Sequence, residues 1–203
     1  MKTMQLPQMS TRKPKYKHAS SDIECTNHLE QQFNPQEPNQ VWAGDITYIR
    51  AGGKWFYLCV IIDLYSRKVI AWKISGKNDV DLTISTFKLA YESRSCPAYL
   101  MFHSDRGCQY TAYAYRKLLD NYDVLQSFSK KGYPFDNACV ECFFKYLKLE
   151  ETNRRTYHTL TELQLSVFEY IEGYYNSRRP HGSNNYLTPN EKEDSFFRSA
   201  QLA

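Results

Sequence analysis

The sequence lacks any apolar run long enough to cross a lipid bilayer. Its longest uninterrupted apolar stretch is residues 55–62, followed directly by Asp63, whereas a membrane-spanning helix needs about 20 apolar residues. The first ten residues, MKTMQLPQMS, lack the apolar centre of a secretory signal peptide. Both absences argue against a membrane or secreted protein, and we expect a cytoplasmic protein without a membrane partner.

The sequence also lacks the paired cysteine motifs of a zinc-binding module. Among six cysteines only Cys139 and Cys142 have C-x-x-C spacing, and no second pair follows. With no export signal, free thiols are a better prediction than a disulfide framework. The composition, 42% hydrophobic and 24% charged, is that of an ordinary globular domain.

Positive charge is concentrated at the N-terminus. Residues 1–20 contain five lysines and arginines and no acidic residue, while the rest of the chain is nearly neutral. This pattern suits a polyanionic partner, and a solvated terminus without a partner explains it equally well. We predict a basic arm or linker over residues 1–35 and one domain with a C-terminal helical extension over residues 36–203.

The rest of the chain reads as strands followed by alternating helices and strands. Two glycines, Gly52 and Gly53, mark a tight turn between the first two strands. The hydrophobic patterns predict strands at 42–49, 55–63, 68–74, 98–103 and 124–128, and helices at 79–92, 111–122, 136–150 and 161–175. This order indicates an α/β domain with one mixed sheet.

Three carboxylates occupy positions that favour chemistry. Asp45 lies inside the first strand, where a charge is costly unless it is paired or bound to metal. Asp105 follows the fourth strand, where ligand sites form in open α/β sheets, although a turn aspartate is the alternative. Glu141 shares a helical stripe with Lys145 and Lys148, and a solvated helix face is the alternative there.

The sequence around these carboxylates resembles that of integrase-like DDE transposases, in particular the orfB-type product of bacterial insertion sequences. The similar blocks are W-x-x-D-I-T-Y around Asp45, H-S-D-R-G-x-Q-Y around Asp105 and D-N-A-x-x-E-x-F-F-K around Glu141. The spacing of 35 residues (106–140) between Asp105 and Glu141 is typical of that group. Two further blocks, at 60–72 and 174–181, and the late Thr188-Pro189 also match, so the resemblance covers about residues 27–191.

The resemblance implies a ribonuclease-H-like fold, with a mixed five-stranded sheet flanked by helices. It implies that Asp45, Asp105 and Glu141 are the catalytic residues and the ligands of two Mg²⁺ or Mn²⁺ ions, with Asp45 bridging both. Such a site cleaves DNA with water as the nucleophile and joins strands with a DNA 3′-hydroxyl. No other cofactor is expected.

The implied partner is DNA, both as transposon ends and as target. Expected DNA contacts lie in the Gly/Pro loop, on the helix that carries Glu141, and near the C-terminus: Lys130, Lys131, Tyr133, Lys145, Lys148, Arg178 and Arg179. Family resemblance further implies a homo-oligomer on DNA, a helix-turn-helix partner protein from an upstream frame, and a location at the bacterial nucleoid.

Other interpretations of the sequence remain open. One is a ribonuclease-H-like nuclease that cuts without joining, and another is a non-catalytic DNA-binding remnant of a transposase. A glycosidase fits the paired carboxylates but leaves the lysine stripe unexplained. We expect His103 to be a structural hydrogen-bonded histidine, His181 to belong to a DNA-contacting or docking element, and Asp63 to cap a turn.

Overall fold

A five-stranded mixed sheet forms the centre of the protein. The structure is a computed structural model that describes residues 25–201. The strands are β1 (Val41–Ala51), β2 (Lys54–Asp63), β3 (Val69–Ser75), β4 (Met101–Ser104) and β5 (Leu125–Phe128). Their order is β3-β2-β1-β4-β5; β1 to β3 form an antiparallel meander, and β4 and β5 are added parallel to β1. The predicted fold class is confirmed.

The hairpin between β1 and β2 forms because two glycines occupy its turn. Gly52 and Gly53 have φ angles of +54° and +74°, a region that other residues rarely adopt. The register then pairs Ala51 with Lys54 and Trp42 with Asp63. The hairpin therefore holds Asp45 at a fixed point of the central strand, opposite Val60.

Six α-helices surround the sheet within residues 25–201. They are α1 (Val80–Ser93), α2 (Cys108–Thr111), α3 (Tyr113–Asn121), α4 (Ala138–Leu147), α5 (Leu160–Phe168) and α6 (Pro189–Gln201). A 3₁₀ turn (Pro134–Asn137) precedes α4, and π-helical turns (Lys148–Thr152 and Glu169–Tyr175) extend α4 and α5. The helix predicted at 111–122 is instead divided at Ala112, whose ψ of 138° is not helical. None of these helices combines the length and apolar character needed to cross a bilayer.

Two apolar layers hold the helices on the sheet. On one face, Val60 and Ile62 pack with residues of α4 and α5, among them Phe143 and Val167. On the other face, aromatic residues dominate: Trp42, Phe87, Phe102, Tyr110 and Tyr115 are all 2% exposed or less. Each face of the sheet is therefore buried where a helix covers it, which explains the continuous apolar run of β2.

Both ends of the described chain pack against this body. Leu29 is buried, and its backbone N–H donates to the Ser127 hydroxyl of β5 at 3.1 Å. At the other end, Glu193 of α6 is buried and accepts hydrogen bonds from Ser66, Lys68 and Arg94. Residues 25–35 of the predicted arm thus lie against the domain. Residues 1–24 of that arm lie outside the described residues. The domain boundary at residue 35 stays a prediction.

Candidate active site

Asp45 and Asp105 lie beside each other at the carboxyl end of β4. The parallel pairing of β1 with β4 ends at Gly44 opposite Ser104, so the next residue on each strand is a carboxylate. Gly44 permits this pairing because a Cβ atom there would lie 2.6 Å from the Phe102 ring. The carboxyl end of parallel strands is where open α/β sheets bind ligands.

Helix α4 brings Glu141 to the same edge of the sheet. One side of the helix, including Val140, Phe143 and Leu147, is buried against the sheet. Helical periodicity then turns Glu141 and Lys145 towards solvent, and both side chains are exposed. Glu141 and Lys145 of the predicted stripe thus lie on the surface, whereas Lys148 is half-buried in the π-helical turn that follows α4.

The three carboxylates form one electrostatic cluster around Asp45. Burial raises the pKa of Asp45 to about 7, and the charge of Asp105 and then that of Glu141 add to this effect. The backbone N–H of Ile46, which donates to Asp45 Oδ1 at 2.7 Å, and the ammonium of Lys148 lower this pKa. Like charges thus meet at a half-buried position, an arrangement that is common at functional sites.

The donor chemistry of this cluster fits a hard divalent cation. Carboxylate oxygens are the ligands that Mg²⁺ and Mn²⁺ prefer, and a cation would reverse the repulsion that raises the pKa of Asp45. The geometry is not preformed: among residues 25–201, no three Asp, Glu, His or Cys side chains meet as a metal-binding group. Asp105 Oδ1 instead accepts the backbone N–H of Gly107 at 2.9 Å.

A cleft of about 490 Å³ opens next to Asp105 and Glu141. Its other wall is the loop that carries Lys130, Lys131 and Tyr133, so the structure brings these predicted residues together with two of the carboxylates. The buried Asp136 holds the loop in place by accepting the Lys130 backbone N–H at 2.7 Å. Carboxylates and cations thus line the same cleft.

Asn137 is a candidate residue that the sequence analysis missed. It lines the same cleft, its side chain is only 4% exposed, and neither its amide nitrogen nor its amide oxygen has a partner among residues 25–201. A buried amide without partners is costly. The block D-N-A-x-x-E contained this signal, but it was used only for Glu141.

The remaining predicted DNA contacts differ in their surroundings. Lys148 lies beside the cluster, with its Nζ atom 5.1 Å from the centre of the Tyr48 ring. Arg178 is exposed. Arg179 is bound within the domain, since its Nη2 lies 3.1 Å from Glu150 Oε1 and its guanidinium 3.8 Å from the centre of the Tyr146 ring. DNA contacts at all three positions stay predictions.

Three residues that the sequence analysis singled out lie outside the carboxylate cluster. His103 is fully buried between the hydroxyls of Ser127 (2.9 Å) and Ser129 (3.2 Å), and burial lowers its pKa to about 4, so the predicted structural role is confirmed. Asp63 accepts the Tyr65 backbone N–H at 2.9 Å and thereby caps the turn, as predicted. His181 is buried with its ring 4.8 Å from that of Tyr175, and its assignment to a DNA-contacting or docking element stays a prediction.

The strand order, the strand directions and the carboxylates at the end of β4 define a protein of the ribonuclease-H-like class. Two family profiles match the chain, both described as an integrase core domain, over residues 35–134 and 122–189. The chain belongs to the integrase core domain family.

Curated relatives include a bacterial transposase. The transposase InsF for insertion sequence IS3A of Escherichia coli K12 is 40% identical over 168 residues, which are 83% of this chain and 58% of that protein. The chain therefore spans little more than half the length of this relative. A Lactococcus lactis protein named an ATP-dependent protease is 57% identical over 95 residues, but these are only 47% of this chain and 31% of that protein.

Solved structures share the fold at low sequence identity. The HTLV-2 integrase catalytic core domain, in complex with magnesium in a dimeric form, superimposes with a TM-score of 0.58 at 19% identity, over 78% of this chain and 98% of that one. A chain of the simian T-cell lymphotropic virus intasome in complex with PP2A regulatory subunit B56 gamma gives 0.61 at 17% identity, over 79% and 56%.

Proposed function

We propose that this chain is the catalytic core of a DNA transposase, which cleaves phosphodiester bonds and joins DNA 3′ ends to a target. The observation that carries the proposal is the electrostatic cluster of Asp45, Asp105 and Glu141 at the carboxyl end of β4. Membership of the integrase core domain family and the name of the InsF relative support it.

In this proposal the three carboxylates would hold two Mg²⁺ or Mn²⁺ ions, and the likeness to the HTLV-2 integrase catalytic core domain in complex with magnesium supports that choice. When bound, the ions supply charge neutralisation at the phosphate and activation of an oxygen nucleophile. Asp45 provides the fixed point, because its backbone is paired with β2 and its carboxylate accepts the Ile46 N–H. Asp105 and Glu141, whose side chains are exposed, would provide the other two carboxylate ligands.

The cleft beside the carboxylates positions the DNA strand. Lys130 and Lys131 bind phosphate on its far wall, and Tyr133, which is 58% exposed, offers a ring to sugar or base. Asn137 also lines this cleft, and its buried amide has no hydrogen-bond partner among residues 25–201. In this way the scissile phosphate is held between fixed cations and the carboxylate cluster.

Lys145 is proposed to bind a phosphate through charge alone. Lys145→Ala should weaken binding to any DNA sequence and reduce the slope of log K against log salt by about 0.9, since one counterion-releasing contact is lost. Folding stability should change by less than about 0.5 kcal/mol, because the side chain is exposed. Duplex binding measured at several salt concentrations checks this.

The matched control is Lys88→Ala, which removes an exposed lysine from the middle of α1. It should leave the slope unchanged. Equal slopes for wild type and Lys145→Ala would show that the α4 stripe is merely solvated.

A strand-transfer assay tests the proposal as a whole. The full chain is mixed with a labelled DNA end that carries a free 3′-hydroxyl and with an unlabelled plasmid. We expect label to be joined covalently to the plasmid, in a reaction that requires Mg²⁺ or Mn²⁺. Cleavage without joining would identify a ribonuclease-H-like nuclease instead.

Partners follow from the same proposal. We propose that recognition of transposon ends depends on a helix-turn-helix protein and that the chain acts as a homo-oligomer on DNA at the bacterial nucleoid, and the likeness to a chain of an intasome supports the oligomer. The basic residues 1–20, which lie outside the described residues, would then add affinity without sequence preference.

A further inference from the structure

A second surface, which we call the aromatic groove, lies on the β1–β2 hairpin next to the carboxylate cluster. It consists of Tyr48, Arg50, Trp55 and Lys148. Beyond Gly44, β1 has no pairing with β4, and the sheet face that carries Tyr48 and Trp55 is open to solvent. These two rings are 58% and 53% exposed and meet edge to face with their centres 5.2 Å apart.

Each ring of the aromatic groove has a cation above it. The Arg50 guanidinium lies 6.0 Å from the centre of the Trp55 ring, and Lys148 Nζ lies 5.1 Å from that of Tyr48. The groove has a volume of about 640 Å³, and none of its lining residues in the described part of the chain is acidic. Arg155 also lines it but is paired with Glu151 at 2.9 Å. The free charge of the groove is thus positive.

Lys148 links the aromatic groove to the carboxylate cluster. Lys148 belongs to both, because its ammonium lies over Tyr48 and its charge also acts on Asp45. Along β1, Tyr48 is three residues from Asp45, which is about 10 Å at the usual rise of a strand. This separation corresponds to roughly three nucleotides at about 3.4 Å each. Because the two side chains point to opposite faces of β1, a DNA strand cleaved or joined at the cluster would reach the groove around the edge of β1, which has no pairing with β4 beyond Gly44.

We propose that the aromatic groove binds unpaired bases of a single DNA strand that leaves the active site, with Tyr48 and Trp55 as the stacking platform and Arg50 and Lys148 as the phosphate ligands. The proposal rests on the proposed function and adds a substrate subsite to it. Exposed rings interleaved with cations are the typical means of binding single strands without sequence preference. A paired duplex keeps its bases stacked on each other and cannot offer their faces to these rings.

Binding of single-stranded and duplex DNA to matched variants tests this subsite. The probes are a labelled oligothymidylate and a blunt duplex of equal length, added to the full chain without divalent metal so that no cleavage occurs. Tyr48→Ala and Trp55→Ala should each weaken single-strand binding by about 5- to 150-fold, the loss of one stacked base. Duplex binding should change less than about two-fold, and Trp55→Phe should retain most single-strand affinity because it keeps a ring.

The matched control is Tyr113→Ala on α3. Tyr113 is also an exposed tyrosine, 70% accessible, with Lys117 Nζ 5.9 Å from the centre of its ring, and it does not line the aromatic groove. It should leave both affinities unchanged. An equal loss in Tyr113→Ala, an equal loss for the duplex, or unchanged binding in both groove variants would overturn the proposal.

Photo-crosslinking of the wild-type protein gives a second test that does not depend on the folding of a variant. An oligonucleotide carrying 5-bromodeoxyuridine should crosslink to the peptide containing Tyr48 or Trp55, and crosslinks found only elsewhere would overturn the subsite. Both readouts are independent of cleavage. A protein that cuts DNA but lacks these contacts contradicts the subsite alone, whereas one that makes them but never cuts or joins DNA contradicts the proposed function.

Discussion

Replacing Asp45 by asparagine is expected to reduce metal-dependent DNA cleavage by about 10³-fold or more. The substitution keeps the shape of the side chain but removes the charge at the centre of the carboxylate cluster. The backbone of Asp45 is held by β2 in either case, so the fold should persist. Conversion of supercoiled plasmid to the nicked form, in Mg²⁺ and in Mn²⁺, measures the effect.

Asp120→Asn is the matched control for this experiment. Asp120 is an exposed carboxylate on α3, outside the cluster and the cleft, and its replacement should leave nicking unchanged. Nicking by Asp45→Asn at the wild-type rate would remove Asp45 from the catalytic set.

Asp45→Asn is also expected to stabilise the metal-free protein at pH 8. Because the folded protein raises the pKa of this carboxyl from 3.8 to about 7, the folded state holds a proton that the unfolded state has already lost. The contribution of Asp45 to the free energy of unfolding therefore falls by at most about 4 kcal/mol as the pH rises from about 4 to 7. Near pH 4 the two proteins should be almost equally stable.

Urea unfolding of both proteins at pH 4.5 and pH 8 measures this difference. Other groups with shifted pKa values, such as Asp63 and His103, are present in both proteins, and their effects cancel in the comparison. Added Mg²⁺ at pH 8 should stabilise the wild type and not the variant. Equal stabilities of the wild type and Asp45→Asn at pH 8 would show that the charge of Asp45 does not destabilise the folded protein.

The sequence was most informative where a local signal decided the structure. The Gly52-Gly53 turn and the apolar run of β2 predicted the meander, because positive φ angles and burial on both faces are properties of the residues themselves. The position of Asp105 at a strand end also followed from a general rule, whereas its meeting with Asp45 was implied only by the family resemblance. The division of the helix at Ala112 could not be predicted from the sequence, because alanine has a high helix propensity and only tertiary packing sets its ψ angle.

Features that depend on distant partners could not be predicted. Arg179 was assigned to DNA from its neighbours in sequence, yet its partner Glu150 lies on another element. The burial of Asn137 likewise depends on the cleft walls. Tyr48 and Trp55 were expected only as strand residues, because alternation along a strand does not reveal where a face remains uncovered.

The central claim is that Asp45, Asp105 and Glu141 form one cation-binding site, and calorimetric titration with Mg²⁺ or Mn²⁺ tests it most directly. Wild-type protein and the Asp120→Asn control should bind with equal affinity. Asp105→Asn should bind at least about ten-fold more weakly, because one charged oxygen ligand is lost while the fold is kept. Equal binding by wild type and Asp105→Asn would contradict the account.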